Sequence, residues 1–250
     1  MAATTVEVAA ILFAATFVRS ALGFGEALVA VPLLALVMPV TVAAPIAALV
    51  SITVAAVVVV QDWRQVHWSS AARLVLATLA GIPIGLMLLT RAPEPLVKSV
   101  LALVIIVFSM QALRGPAGWR LAGEGGAWIF GLAAGVLGGA YGMNGPPLAV
   151  YGSARQWSPS QFRATLQGYF LPASAAGMIG YWSIGLWTSS VTRLYLTSLP
   201  VVVVAIVLGR MVNKRMSGRR FAVAVYMSLL AIALLLLIQS ARSIQRLTIL

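Results

Sequence analysis

The sequence predicts an all-α integral membrane protein made of two inverted-topology repeats, each an interrupted, re-entrant helical hairpin followed by three transmembrane helices. Three observations carry this expectation: a composition too apolar for water, a series of apolar runs of helical length, and two glycine-rich breaks at matching places in the chain.

Of 250 residues, 61% are hydrophobic and 9% charged, with a mean hydropathy of +1.01. A soluble domain keeps about 25% charged residues to wet its surface, so most of this surface must face lipid. A hydrocarbon core about 30 Å thick takes about 20 apolar residues per helix, which leaves no room for a sizeable soluble domain. The net charge of +12 reads as membrane orientation, because the basic residues sit mostly in short loops between apolar runs; no nucleic-acid partner is expected. The chain has no cysteine, which excludes disulfides, thiolate metal sites and cysteine nucleophiles. One histidine, His67, cannot build a metal site alone, and no cofactor is expected. Flanked by Val66 and Trp68 in a short loop with Trp63, it reads as an interfacial residue of an aromatic belt. The first apolar segment follows Glu7 and no Lys or Arg, so it is expected to belong to the mature protein.

Apolar runs fall at 6–38, 40–60, 70–90, 95–113, 127–152, 161–181, 191–209 and 220–240. All read as helices. The first run is too long for one crossing, since its length at about 1.5 Å per residue exceeds the hydrocarbon thickness. Gly23-Phe24-Gly25 interrupts it, and Gly142-Met143-Asn144-Gly145-Pro146-Pro147 interrupts the fifth run. Glycine loosens a helix and proline removes an amide donor, so both runs should break there.

The breaks belong to an internal repeat. At a shift of 119 residues Trp63 meets Trp182, Trp68 meets Trp187 and Gly23-Phe24 meets Gly142-Met143; at 120, Arg73-Leu74 meets Arg193-Leu194 and Pro39 meets Pro159. The halves are therefore 1–120 and 121–250, within one integral membrane domain. Basic residues decide whether each break crosses or folds back. With Arg19 left out, simple crossing puts nine of the remaining 16 on the side of the 210–220 loop, whereas two hairpins put eleven there. The positive-inside rule favours hairpins. Each half then has three true crossings and the second half enters upside down, as in many secondary transporters.

Irregular backbone at membrane depth survives only inside protein or against a watery cavity, so both breaks should be internal. A helix restarting at Gly25 or Gly145 points amides and a positive dipole end inward, and two such ends near the midplane form a site for an anion. The alternative is that these glycines allow close helix packing, which accounts for the small residues from Gly131 to Gly142. Two charged residues, Arg19 and Glu26, fall in the interior of the first run. Arg19, one turn before the break, offers a planar fork of donors to an oxyanion; alternatively it snorkels to an interface or pairs with Glu26. Glu26 is the candidate for proton coupling, or only a partner of Arg19. The candidate substrate-binding set is Arg19, Gly23, Phe24, Gly25, Tyr141, Gly142, Met143, Asn144, Gly145, Pro146 and Gln167, with Thr165 a weaker candidate.

Several of these residues carry a resemblance. Gly23-Phe24-Gly25 followed by Ala27-Leu28-Val29-Ala30-Val31-Pro32, the stretch Asp62-Trp63-Arg64, and Gly138-Gly139-Ala140-Tyr141-Gly142-Met143-Asn144-Gly145-Pro146-Pro147 resemble the TauE/SafE sulfite exporter family, also called the toluene sulfonate uptake permease family. The resemblance spans roughly 6–240. It implies a multi-pass transporter of sulfite, sulfonates or related organic anions in a bacterial inner membrane. Two positions depart from the family's pattern: Glu26 stands where the family often has glycine, and Asn144 where it often has glycine or another small residue.

The expected function is thus secondary transport of a small anion by alternating access around the two breaks. An interior potential of 100 mV is worth about 2.3 kcal/mol per charge, enough to drive a monovalent anion outward about 40-fold without a coupling ion, whereas uptake needs a cosubstrate such as a proton. An anion channel of the same architecture is the alternative. A membrane-embedded enzyme is disfavoured, because no cluster of His, Asp, Glu or Ser has catalytic spacing. Neither the transported anion, nor the direction, nor the oligomeric state follows from the sequence.

Overall fold

A computed structural model describes residues 2–62, 64, 66–115, 120–121, 123–215 and 218–248. Among these residues the structure is all helical: α1 (Ala2–Leu22), α2 (Glu26–Val37), α3 (Val40–Asp62), α4 (Trp68–Arg91), α5 (Glu94–Arg114), α6 (Gly126–Tyr141), α7 (Gly145–Ala154), α8 (Pro159–Ser183), α9 (Ser189–Arg215) and α10 (Gly218–Thr248). Each apolar run has become a helix, and the first and fifth have each become two. Among the described residues six helices, α1, α3, α4, α5, α9 and α10, are long and apolar enough to cross a membrane, and the chain is a multi-pass membrane protein. Helix α8 has the length to cross but less apolar character. It carries Gln161, Arg163, Gln167 and Ser174, and its stretch from Ala164 to Phe170 is buried among other helices rather than turned to lipid.

The two breaks fall at matching positions. Leu22 ends α1 and Tyr141 ends α6, while Glu26 opens α2 and Gly145 opens α7; both pairs are 119 residues apart. Gly23 N–H donates to Arg19 O at 2.6 Å and Gly142 N–H to Gly138 O at 2.8 Å, again in register. Gly23 and Gly142 close these turns with φ of +89° and +63°, a left-handed region where a side chain costs about 1–2 kcal/mol. After the first break the chain bends back. Thr16 and Glu26 would lie about 15 Å apart along a continuous helix, yet Thr16 Oγ1 donates to Glu26 Oε1 at 3.1 Å, and α2 packs on α1.

Helix packing follows the same correspondence. When α1–α5 are exchanged with α6–α10, the contact of α4 with α6 becomes that of α9 with α1, and α4 with α8 becomes α9 with α3. The pairs α3–α8 and α5–α10 map onto themselves. The halves are interlocked, because each first helix packs on the fourth helix of the other half. Of the tryptophans that align the halves, Trp68 and Trp187 stand at or just before the starts of α4 and α9, and Trp63 lies outside the described residues.

The tightest seam is α4 against α6. A Cβ added at Gly81 would overlap Leu132 O, and one at Gly85 Val136 O. From the other side, one at Gly135 would overlap Thr78 O and one at Gly139 Ile82 O. In lipid, where apolar surface gains little by leaving the solvent, such backbone-to-backbone approach is what holds helices together. At the pseudo-equivalent α1–α9 seam, Gly209 lies against Ser20 and Phe17 O. The small residues of α6 are thus packing residues, as one of the two sequence readings had it.

The turn before α6 is tied to the start of α4. Glu124 accepts from Ser69 Oγ at 2.8 Å, pairs with Arg73, and lies 3.9 Å from His67 Nδ1. The Ser69 hydrogen bond, with Arg73 and His67 beside it, holds the Glu124 carboxyl below the usual carboxylate range against a smaller opposing effect of burial. His67 also caps α4, accepting from Ser70 N–H at 3.4 Å.

Candidate functional site

The centre of the molecule is organised around Arg19. In the last turn of α1, it is only 2% exposed, as is Glu26 in the first turn of α2. Their side chains form an ion pair across the first break. Arg19 Nη1 also donates to Ser51 Oγ of α3 at 3.0 Å, and Nη2 to Gln167 Oε1 of α8 at 2.6 Å. Gln167 Nε2 in turn donates to Gly23 O at 2.8 Å, and Ser174 Oγ to Ser51 Oγ at 3.2 Å. The guanidinium carbon lies 5.0 Å from the centroid of the Phe170 ring, where the aromatic face attracts a cation. Four helices and the break backbone therefore converge on one guanidinium. Burying both charges costs several kcal/mol per ion, a cost offset only when nearly every donor and acceptor is satisfied. Glu26 meets that condition with both oxygens bonded. Arg19 does not, since its Nε–H is buried with no hydrogen-bond partner.

A small cavity lies beside this network. It offers about 20 Å³, room for about one water. Its walls bring the two breaks together: Phe24, Gly25 and Glu26 from the first, Gly142 through Pro146 from the second, with Arg19, Ser51 and Phe170 completing it. Of the sequence-derived set, Arg19, Phe24, Gly25, Glu26, Gly142, Met143, Asn144, Gly145 and Pro146 line this cavity. Gly23 and Gln167 stand just behind it, holding Arg19 and the break in place. Tyr141 faces away, its hydroxyl donating to Val97 O of α5 at 3.0 Å. Thr165 also faces away, accepting from His67 N–H at 3.0 Å. Ser51, Ser174, Thr16 and Phe170 are members that the sequence reading missed.

The site is asymmetric although its scaffold is not. At the shift of 119, Arg19 corresponds to Gly138 and Glu26 to Gly145, so all the charge belongs to the first break. The space where an arginine would stand at Gly138 is filled by Asn144, whose Oδ1 lies 2.5 Å from where a Gly138 Cβ would be. Asn144 Nδ2 donates to the Tyr169 hydroxyl at 3.3 Å. The two helix starts differ as well. The first-turn residues Glu26, Ala27 and Leu28 of α2 all border the cavity, whereas Pro146 and Pro147 remove two donors from the first turn of α7. The free amides expected at both helix ends are therefore fewer at the start of α7 than at that of α2.

Phe24 also borders a second, larger cavity of about 330 Å³, walled by Phe108, Trp157, Phe162 and Tyr226 with Gln111 and Ser153. Flanked by two glycines at positive φ, its ring packs edge-on against Phe108 at 6.3 Å and Phe162 at 5.8 Å. It is the partition between a large aromatic cavity and the small charged one. Among the described residues no group of three His, Asp or Glu side chains lies where it could hold a metal ion.

Comparison with known proteins gives two matches. The family model described as sulfite exporter TauE/SafE matches residues 8–236. A protein of Cupriavidus necator named a probable sulfite/organosulfonate exporter TauE is 25% identical over 208 residues, covering 80% of this chain and 81% of its own length. No solved structure matches the chain.

Proposed function

The chain belongs to the sulfite exporter TauE/SafE family, a family of transporters rather than enzymes, and from this premise we propose that it is a secondary transporter of sulfite or an organosulfonate. The observation that carries the proposal is Arg19: a buried guanidinium fixed at the meeting point of both breaks, with a cavity against it. A planar fork of donors beside the positive end of α2 suits a trigonal or tetrahedral oxyanion. The sulfur oxygens bind to Arg19, the first-turn amides of α2 and Asn144. An organic substituent extends past Phe24 into the aromatic cavity.

In this reading the two halves, 1–120 and 121–250, are inverted repeats in a bacterial inner membrane, and access alternates as one half rocks against the other around the breaks. The small volume of the charged cavity favours a transporter over a channel, because an anion larger than water enters only when the walls move. Glu26 competes with the anion for Arg19 Nη1. Protonation of Glu26 as the anion enters removes the competition, and proton and anion cross together.

Purified protein reconstituted in liposomes tests the function directly. Sulfite and benzenesulfonate are expected to raise its melting temperature, since a ligand that binds only the folded state stabilises it. Labelled sulfite is expected to show saturable counterflow. Stabilisation by neither anion, or flux that never saturates, would reject the proposal.

A further inference from the structure

Arg19 has a second side. Behind the first break lies another cavity of about 20 Å³, bordered by Arg19, Ser20, Gly23, Val54, Val58, Arg163, Gln167 and Arg210. Three arginines, from α1, α8 and α9, meet there, and among the described residues bordering it none is acidic. Arg163 lies over the break, its Cγ 3.1 Å from where a Gly23 Cβ would stand, and Gln167 one turn further along α8 holds Gly23 O. Arg210 is brought in by the close approach of Gly209 to Ser20. The cavity also borders the two residues of α1 that leave a buried polar atom without a partner, Arg19 at Nε and Ser20 at Oγ. A buried donor left unmade costs about 1–3 kcal/mol, so a site with such orphans beside Arg163 and Arg210, with Arg19 itself already paired to Glu26, suits an acceptor that brings negative charge.

We propose that Arg163, Arg210, Ser20 and the Nε edge of Arg19 form a second, staging subsite for an oxyanion, separated from the paired-break cavity by the Arg19 guanidinium itself. The proposal rests on the transporter reading and deepens it. Arg163 stands in the first turns of α8 and Arg210 in the last turns of α9, so the subsite opens toward the end of the molecule that carries the basic 210–220 loop. An anion arriving from that side is held by two cations on the rim. It then passes to the opposite edge of Arg19 as the break moves, without leaving positive charge at any step. An anionic lipid headgroup shares the oxyanion chemistry, but a cavity of about 20 Å³ enclosed by α1, α3, α8 and α9 is far too small for one, whereas a small anion enters with a modest movement of its walls.

The test is sulfite transport in phosphatidylcholine liposomes, with sulfite supplied on one face at a time. Arg210→Gln is expected to raise the half-saturating sulfite concentration about tenfold on the face of the 210–220 loop and to leave the other face unchanged, the effect of losing one charge-assisted hydrogen bond. Arg163→Gln, which keeps the methylenes packed on Gly23, should do the same, and Arg210→Lys should restore most of the loss. Wild-type protein that neither binds nor moves sulfite overturns the transporter reading and the subsite with it. Transport that needs Arg19 but ignores Arg210→Gln and Arg163→Gln on both faces overturns the subsite alone. So does an effect of these variants seen only when phosphatidylglycerol is added, which would assign the arginines to lipid.

Discussion

Arg19 and Glu26 belong to different helices separated by the first break, and their buried side chains close that break as an ion pair. The pair ties the two helices together: the last turn of α1 and the first turn of α2 separate only if a guanidinium and a carboxylate part, or if something replaces one of them. In the proposed transport cycle the substrate oxyanion takes the place of the carboxylate.

Removing one partner leaves the other charge buried alone, which costs about 3–5 kcal/mol. Arg19→Gln should therefore both destabilise the protein and abolish sulfite binding. The double variant Arg19→Gln/Glu26→Gln separates the two effects, since it removes the stranded carboxylate. Its melting temperature is expected to return most of the way to wild type while sulfite binding, read by thermal shift, stays absent. Recovery of binding in the double variant would show that Arg19 only neutralises Glu26.

Glu26→Gln alone keeps a side chain able to hydrogen-bond Thr16 and Arg19 but cannot take up a proton. If proton and anion move together, an imposed pH gradient drives wild-type uptake into liposomes and has no effect on this variant, while sulfite exchange at equal pH persists in both. An unchanged response to the gradient would make Glu26 a structural partner of Arg19.

Much of this centre was legible in the sequence, for a physical reason. Glycines on both sides of Phe24, and Gly142 followed closely by Gly145, Pro146 and Pro147, concentrate helix-weakening residues at two points, so both breaks and their 119-residue spacing are visible in the sequence, although single prolines such as Pro32 and Pro83 sit inside unbroken helices. Arg19 and Glu26 stand out because ionised groups in an apolar run are costly. Ser51, Ser174 and Phe170 could not be found, because one hydroxyl or ring in an otherwise apolar helix gives no sign of which way it faces. Tyr141 misled for a related reason. Each helical residue turns about 100° from the last, so the neighbour of a functional break can point out of the site, here toward Val97.

The glycine seam between α4 and α6 gives a stability prediction independent of transport. Gly135→Leu would drive a side chain into Thr78 O and should prevent accumulation of folded protein, read as monodisperse material by size exclusion. Gly177→Ala is the control, since a Cβ there meets nothing within 4 Å, and it should be tolerated where Gly135→Ala, whose Cβ would overlap Thr78 O, is not.

Acid should loosen the turn before α6. The Glu124 carboxyl titrates lower in the folded protein than in the unfolded chain, so its tie to Ser69 and Arg73 is fully present above the ordinary glutamate value and is lost as pH falls through the lower folded one. Hydrogen exchange at Leu121 and Gly123 should rise when the pH drops from about 6 to about 3, beyond the intrinsic change in exchange rate. Glu124→Gln should exchange at one intrinsic-corrected rate across that range. Equal pH sensitivity in both proteins would remove the carboxylate from the account.

The inverted arrangement makes the sharpest topological prediction, because it rests on which side of the membrane two loops occupy. If each break folds back, the 114–124 loop shares the cytoplasmic side with the 210–220 loop; if each simply crosses, the two loops lie on opposite sides. The matched breaks and the exchange symmetry of the packing hold in both cases, so they show that the halves are equivalent and leave their relative direction to be measured. The absence of native cysteine allows single replacements at Gly118 and Ser217, positions outside the described residues, to be labelled without background. Both should resist an impermeant thiol reagent in intact cells and react once the membrane is permeabilised. Labelling of Gly118 alone in intact cells would place the first hairpin across the membrane and turn the inverted repeat into a parallel one.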